Sequence, residues 1–443
     1  MAAAAQPAID LTRVLDERAI TPLQGLVAIL SGCILLVDGY DIQVIALAVP
    51  AVGREWMLAP VHFTYALSAA VLGMSIAGAF IAPLGDRFGR RTMLVGAMTL
   101  IGLATMLTAT ASSPLEFVLW RLLTGVGLGI SIPNCNAWTA EYVPLRARAT
   151  VLVALNAAIG IGAFSAGMIA PLIFAHWGWR GAFWFGGAIP LLIGFLIYAL
   201  APESLKFLLV RRPHDPRIPL ILARIAPDVD GAGPFASPSA TALAPSRSAW
   251  SVAQLLDSTY ARRTLVLWAL VAANLFVLYV LISWLPTLLN SAGWPLPAAQ
   301  RGAALLQAGG VVGGLVLSLF VSRGKTRPAL LAAFMTAAIC FALFRGASPL
   351  FALGAVALIG CGTSGTQLSL NALSTAYYPP AIKATGMSWA GVVGNVAAFL
   401  APIAGGWAID RGYSAMNILA MLSVPALACA LGALLMRREW QWN

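Results

Sequence analysis

The sequence predicts an all-α polytopic membrane protein, with twelve transmembrane helices in two six-helix halves. Three observations carry that expectation. Of 443 residues, 60% are hydrophobic and only 10% charged, whereas a soluble domain carries about 25% charged residues. The apolar residues gather into twelve stretches, each suited to cross a hydrocarbon core as a helix. The second six stretches also repeat landmarks of the first. Tyr142-Val143-Pro144 and then Arg148-Ala149-Thr150 stand between the fourth and fifth, and Tyr377-Tyr378-Pro379 and then Lys383-Ala384-Thr385 stand 235 residues later, between the tenth and eleventh. A duplication of this kind places a substrate site where the halves meet.

Taken in order, the chain opens with MAAAAQPAIDLTRVLDERAI, which is polar and lacks the apolar core of a signal peptide. The spans are expected at about 23–49, 62–84, 92–111, 115–140, 150–175, 181–200, 264–289, 300–321, 328–345, 349–376, 386–409 and 414–436. Residues 1–200 form the first half and 263–443 the second. Residues 201–262 between them form a cytoplasmic loop whose middle, rich in Pro, Ala, Ser and Gly, reads as a flexible linker. Ser251–Arg263 is expected as a short amphipathic helix leading into span 7. With the N-terminus inside, 21 of the 27 Lys and Arg lie on the cytoplasmic side and five on the other. The positive-inside rule therefore puts both termini in the cytoplasm. The net charge of +11 is explained by these loops facing a lipid bilayer, and no nucleic acid partner is expected. Cys33, Cys135, Cys340, Cys361 and Cys429 all fall in apolar stretches, with no disulfide or metal spacing. The chain has no HExxH and no GxSxG, so neither an enzyme nor a cofactor is expected.

The one remaining basic residue, Arg121, lies deep in span 4, and span 1 carries Asp38-Gly39-Tyr40-Asp41 near its middle. Each carboxylate there costs roughly 2.5–3.5 kcal/mol on insertion. Helix formation does not require them, so an intramembrane acid is read as functional. Three positions apart, Asp38 and Asp41 share one helix face, which the rest of the chain is expected to surround with a polar cavity. Either acid is a candidate proton carrier. Arg121 is read either as the counter-ion of a substrate carboxylate or of a span-1 acid, or as a structural pairing that holds spans 1 and 4 together. Candidate cavity residues are the amides Asn134, Asn274, Gln367, Asn371 and Asn395 and the aromatics Tyr40, Trp284 and Trp389. The amides compete with plain helix–helix hydrogen bonding, and the aromatics with membrane-interface placement.

On the inner side, Leu84-Gly85-Asp86-Arg87-Phe88-Gly89-Arg90-Arg91 joins spans 2 and 3. Gly89 permits a tight turn. Glu141, at the inner end of span 4, is placed to meet Arg87, Arg90 and Arg91, with Arg148 nearby. The second half has Ala376 and Ser322 where Glu141 and Asp86 would repeat. The expectation is an acid–arginine latch carried by the first half, closed when the outside is open and parted when the inside is open.

The 84–91 loop resembles the loop motif of the major facilitator superfamily, with Ala82 in place of its usual first Gly. The run Arg121-Leu122-Leu123-Thr124-Gly125-Val126-Gly127-Leu128-Gly129 resembles that superfamily's span-4 motif. Within the superfamily, Asp-Gly-aromatic-Asp in span 1 looks like the aromatic acid:proton symporter family. Ala140-Glu141-Tyr142, Trp284-Leu285-Pro286-Thr287-Leu288-Leu289 and Ala384-Thr385-Gly386-Met387-Ser388-Trp389 agree with it. The resemblance implies a major facilitator fold and proton-coupled uptake of aromatic carboxylates such as hydroxybenzoates across a bacterial inner membrane. Two departures stand out. Gly394-Asn395 replaces the family's usual Gly-Arg pair in span 11, so an amide stands where a cation is common. Ser322-Arg323-Gly324-Lys325 lacks the acid often found between spans 8 and 9. The alternatives are a carrier of a non-aromatic acid or sugar, a drug/proton exporter, or a sensor that does not transport.

Overall fold

The computed structural model describes residues 18–227, 252–258, 260–344, 349–376, 378–379 and 382–436. The linker middle at 228–251, Tyr377, and the loop and tail cations Arg13, Arg247, Arg345, Arg437 and Arg438 lie outside the described residues.

Span 1 is Pro22–Trp56. It starts at a capping box in which the Thr21 backbone N–H donates to Gln24 Oε1 at 2.8 Å, with Pro22 in the first turn, where no intrahelical N–H is needed. It runs through Pro50 to a left-handed cap at Met57, past the expected end at 49. Span 2 is Thr64–Phe80, span 3 Arg90–Thr110 and span 4 Pro114–Tyr142. Ser113 caps span 4, and Pro114 opens it. Leu145–Leu200 is a single 56-residue helical run. Straight, it would be about 84 Å long, far more than a hydrocarbon core of about 30 Å. It turns at Gly178, whose φ of 64° suits a residue without Cβ, and so supplies spans 5 and 6. Among the described residues eleven helices are long and apolar enough to cross a membrane, and the turn at Gly178 makes twelve crossings.

Span 7 is Ala261–Ser291, span 8 Leu296–Ser322, span 9 Thr326–Leu343 and span 11 Lys383–Asp410. Span 10 joins Pro349–Gly360, a π-helical turn Cys361–Gly365 and Thr366–Ala376. Span 12 joins Ala415–Met421 and Ser423–Leu435. The connection after span 6 is more ordered than its length suggests. Leu205–Arg211 and Arg217–Ile225 are helical, and the second buries Ile218, Ile221, Leu222 and Ile225 against the first half. Those positions follow one helical stripe. Of the helix expected at Ser251–Arg263, the described residues show one turn, Val252–Leu255, and helix again from Ala261.

The duplication is visible in the packing. Span 1 lies along 5, 2 along 4, and 3 along 6; in the second half 7 lies along 11, 8 along 10, and 9 along 12. Small residues permit the close crossings. A Cβ on Gly162 would land on the carbonyl of Leu36, and one on Gly360 on the carbonyl of Leu306. Between the halves, span 5 packs on 8, span 2 on 11 and span 1 on 7. The side bearing the 84–91 loop, the basic side, is termed inner. Hydrogen bonds cross between the halves from Gln307 Nε2 to Gln43 Oε1 at 3.1 Å, Gln300 Nε2 to Leu47 O at 3.3 Å and Ser68 Oγ to Phe399 O at 3.1 Å. Each of these lies toward the outer side.

Candidate transport site

The four residues Asp38-Gly39-Tyr40-Asp41 touch four different neighbours. Asp38 Oδ2 accepts from Ser131 Oγ of span 4 at 2.5 Å. Gly39 lies against span 5, where a Cβ would strike the backbone carbonyl of Ile159. The Tyr40 hydroxyl donates to Ala182 O of span 6 at 3.1 Å. Asp41 Oδ1 accepts from Thr105 Oγ1 of span 3 at 2.6 Å and from Arg121 Nη1 of span 4 at 3.3 Å, while Arg121 Nη2 holds Oδ2. Span 1 is thus the centre of its half at this depth, and Asp38, Asp41 and Arg121 are all fully buried.

The two acids differ in their compensation. Asp41 has a two-pronged ion pair with the guanidinium and a hydroxyl donor. Among the described residues Asp38 has one hydroxyl and no cation, and its Oδ1 has no partner. A buried ion is tolerable when paired and hydrogen-bonded, and costly otherwise. The charge-bearing forms of these two carboxylates are therefore unequally supported, a distinction the sequence left open.

The expected polar cavity around this face is not what the structure places there. Close to this stretch of span 1 is a cleft of about 30 Å³ between spans 1, 2, 4 and 7, lined by Ile42, Leu67, Val71, Leu128, Tyr279 and Ser283. Ile42 is one turn from Asp38, and Leu128 one turn from Ser131. The cleft is mostly apolar and has room for little more than water.

In the second half the amides do meet. Asn274 Nδ2 donates to Gln367 Oε1 at 2.8 Å and to Thr363 O at 3.1 Å, Thr366 Oγ1 donates to Asn274 Oδ1 at 3.2 Å, and Gln367 Nε2 donates to Asn371 Oδ1 at 3.1 Å. This ladder runs from a buried end at Asn274 to an exposed one at Asn371. Trp389 is half-buried, with its ring centroid 6.3 Å from that of Trp268. Asn395 is half-buried beside Gly394, against whose bare face Val271 and Leu275 of span 7 close in.

Three candidate cavity residues are structural instead. Tyr40 spends its hydroxyl on span 6 and packs edge-on to Phe185. Trp284 is fully buried, donating from Nε1 to Pro402 O at 2.9 Å, and so ties span 7 to span 11. Asn134 donates to Ile130 O at 2.8 Å and Ala82 O at 3.2 Å, which anchors the inner loop to span 4. An indole or amide near mid-span gives the same sequence signal whether it faces a cavity or a neighbouring helix.

The inner cluster brings Glu141 to one of the three expected arginines, Arg90. Arg90 pairs with Asp86 and stands 3.6 Å from Glu141, and Ser204 Oγ donates to Glu141. Arg91 donates from its backbone N–H to Glu203 Oε1 at 3.1 Å and from its side chain to the Ile197 and Tyr198 carbonyls. Gly89, at φ 99°, leaves the room that Glu203 fills. Arg87 lies over Phe88, and Arg148 reaches Val143 O at 3.4 Å; among the described residues neither pairs with an acid. All of these partners belong to the first half or to the segment following it. The cluster clamps spans 2, 3, 4 and 6 together, and among the described residues none of these contacts reaches the second half.

Sequence reasoning missed Thr105, Ser131 and Glu203. The two hydroxyls gave no signal, because Ser and Thr inside helices commonly bond their own backbone. Glu203 lies just past the end of span 6, where an acid is cheap to place and so gives no signal of its own.

Comparison with known proteins agrees with this architecture. Over 431 residues the chain is 31% identical to the gallate transporter of Pseudomonas putida, covering 96% of this chain and 94% of that one. It is 30% identical over 427 residues to the 4-hydroxybenzoate transporter PcaK of Acinetobacter baylyi, covering 96% and 93%. Among solved structures, a bacterial homologue of the human lysosomal transporter Spinster superposes with a TM-score of 0.70 at 16% identity, covering 96% of this chain and 100% of that one. The xylose transporter XylE from E. coli superposes with a TM-score of 0.70 at 16% identity, covering 93% and 95%. The Major Facilitator Superfamily profile matches residues 32–402. With paired six-helix halves, the inner loop between spans 2 and 3 and that match in agreement, this multi-pass membrane protein is a transporter rather than an enzyme, and it belongs to the Major Facilitator Superfamily.

Proposed function

We propose that the chain imports an aromatic carboxylate together with protons across a bacterial inner membrane, with both termini cytoplasmic. The halves 1–200 and 263–443 would rock about the space between spans 1, 4, 7 and 10 while residues 201–262 link them on the inside. The observation that carries the coupling is the contrast at span 1. Asp41 and Arg121 neutralise one another, whereas Asp38 is fully buried with one hydroxyl and an unpartnered oxygen. Taking up a proton removes an uncompensated charge at Asp38 and nowhere else in the pair. Asp38 is therefore the proton carrier in this reading, and Asp41–Arg121 the fixed support that keeps a cation off it. The names of the relatives favour an aromatic acid. The apolar walls at Leu67, Leu128 and Tyr279 suit a ring, and the amides of Asn274 and Gln367 can donate to its carboxylate once the halves part.

Bonds between the halves on the outer side, with Asn371 exposed at the inner end of the ladder, fit a carrier poised to release inward. Purified protein in liposomes tests the reading. An inward proton gradient should drive accumulation of 4-hydroxybenzoate above its external concentration, and collapse of the gradient should abolish that accumulation but leave exchange. Accumulation insensitive to the gradient would refute the coupling. Uptake of aliphatic acids in preference to aromatic ones would refute the substrate class.

A further inference from the structure

A second space lies at the outer surface, away from the acids. One lobe, of about 220 Å³, sits between the end of span 1, with Pro50 and Arg54, and the end of span 7, with Thr287, Asn290 and Ser291. A second lobe, of about 360 Å³, shares Pro60, Thr287 and Ser291 and reaches Tyr413 and Met416 where span 12 begins. The two form one vestibule above the closed contact of the halves. Arg54 holds itself in place by donating from Nε to Pro50 O at 3.1 Å, and no acid pairs with it among the described residues. The adjacent Glu55 is taken by Arg180 at 2.5 Å and Trp179 at 2.7 Å. Thr287 is more than nine-tenths buried, lines both lobes, and its hydroxyl has no partner among the described residues. At the rim, Asp410 and Arg411 are both exposed and opposite in charge. Leu58, Pro60, Leu288 and Ile409 supply apolar wall.

We propose that this vestibule is a second binding site, for an organic monocarboxylate, which holds the anion at the closed outer face before the gate opens. The planar fork of Arg54 takes the carboxylate, the Thr287 hydroxyl donates to it or to a ring hydroxyl, and the apolar wall covers the body. The proposal rests on the organic-acid reading above, and it gives the incoming anion a complementary charge that the sealed central site does not present.

The test reads occupancy without transport. Ser291→Cys, in a Cys33→Ser background, is labelled from outside with impermeant anionic and cationic methanethiosulfonates, with benzoate or benzamide as protectant. Benzoate should slow labelling and uncharged benzamide should not. Arg54→Gln should weaken benzoate protection about tenfold and Thr287→Val about fivefold, the losses expected for a charge-assisted and a neutral hydrogen bond. Arg54→Lys should retain part of it. Arg54→Gln should also slow the anionic reagent relative to the cationic one, an effect that fades at high salt. Equal protection by benzoate and benzamide, or protection unchanged by Arg54→Gln, overturns the site. Protection that survives where benzoate-class uptake is absent counts against the import reading alone, and uptake without protection counts against the vestibule alone.

Discussion

Neutralising the two span-1 acids should give opposite kinds of failure. Asp41→Asn removes the partner of a fully buried guanidinium. Arg121 then keeps one neutral amide oxygen and the Asp41 backbone carbonyl, at 3.4 Å, but no counter-charge, and leaving one member of a buried ion pair uncompensated costs about 3–5 kcal/mol. Asp38→Asn keeps the shape and the Ser131 hydrogen bond, and the atom that was unpartnered stays unpartnered, so stability should change by no more than about 1 kcal/mol. Arg121→Gln in the Asp41→Asn background removes the stranded charge. The double variant should recover stability, with a coupling of roughly 1–3 kcal/mol. Thermal unfolding of the detergent-purified proteins measures these three effects. In liposomes, Asp38→Asn should lose uphill accumulation while keeping substrate exchange. The reasoning fails if Asp41→Asn melts with the wild type, if the double variant is no better than the single, or if Asp38→Asn still concentrates substrate.

Other outcomes follow from the same geometry. Gly39→Ala drives a methyl into the Ile159 carbonyl, a backbone atom that cannot turn aside, and folded yield should collapse, whereas Gly25→Ala meets open space and should leave yield unchanged or better; fluorescence-detected size exclusion compares them. Arg121→Gln should weaken an aromatic acid and its amide analogue equally, because the guanidinium is engaged by Asp41, and a selective loss of the acid in binding assays would instead make it a substrate contact. Glu141→Gln should lower thermal stability without changing crosslinking across the inner opening, since its partners Arg90 and Ser204 lie in the first half and the segment following it; an altered open fraction would support the latch. Gln307→Leu removes a bond between the halves and should raise the accessibility of outer-gate cysteines to impermeant reagents.

The fold was legible because membrane crossing writes itself into composition. Twelve apolar stretches, basic loops and a 235-residue echo leave few architectures, and the packing repeats the halves as the echo implies. Boundaries were less legible, as at the outer end of span 1. Pro50 reads as a terminus, yet span 1 continues, since its missing N–H costs one bond in a helix held by neighbours on several sides. At the site, charge was informative and polarity was not. Asp38, Asp41 and Arg121 stood out because burying them is expensive. Asn134, Tyr40 and Trp284 carried the same letters as cavity residues but turned to neighbouring backbone, a choice set by rotation about each helix axis. The pairing of Arg121 with Asp41 rather than Asp38 depends on which turn of span 4 faces which turn of span 1, a register that one sequence does not encode.

The π turn at Cys361–Gly365 sets a further register, inside span 10. A π turn carries one residue more than an α turn, so every side chain beyond it is rotated by about 100° from where an unbroken helix would put it. Gln367 and Asn371 lie beyond it, and Thr363, within it, offers its carbonyl to Asn274. The amide ladder therefore exists in this alignment only because of the surplus residue. Deleting a single residue from 361–365 would leave the outer half of span 10 seated and swing the inner half by more than a quarter turn, sending both amides off Asn274. The same arithmetic makes the turn a place where one residue's passage through the bulge could exchange the polar face that span 10 presents, without unfolding either end.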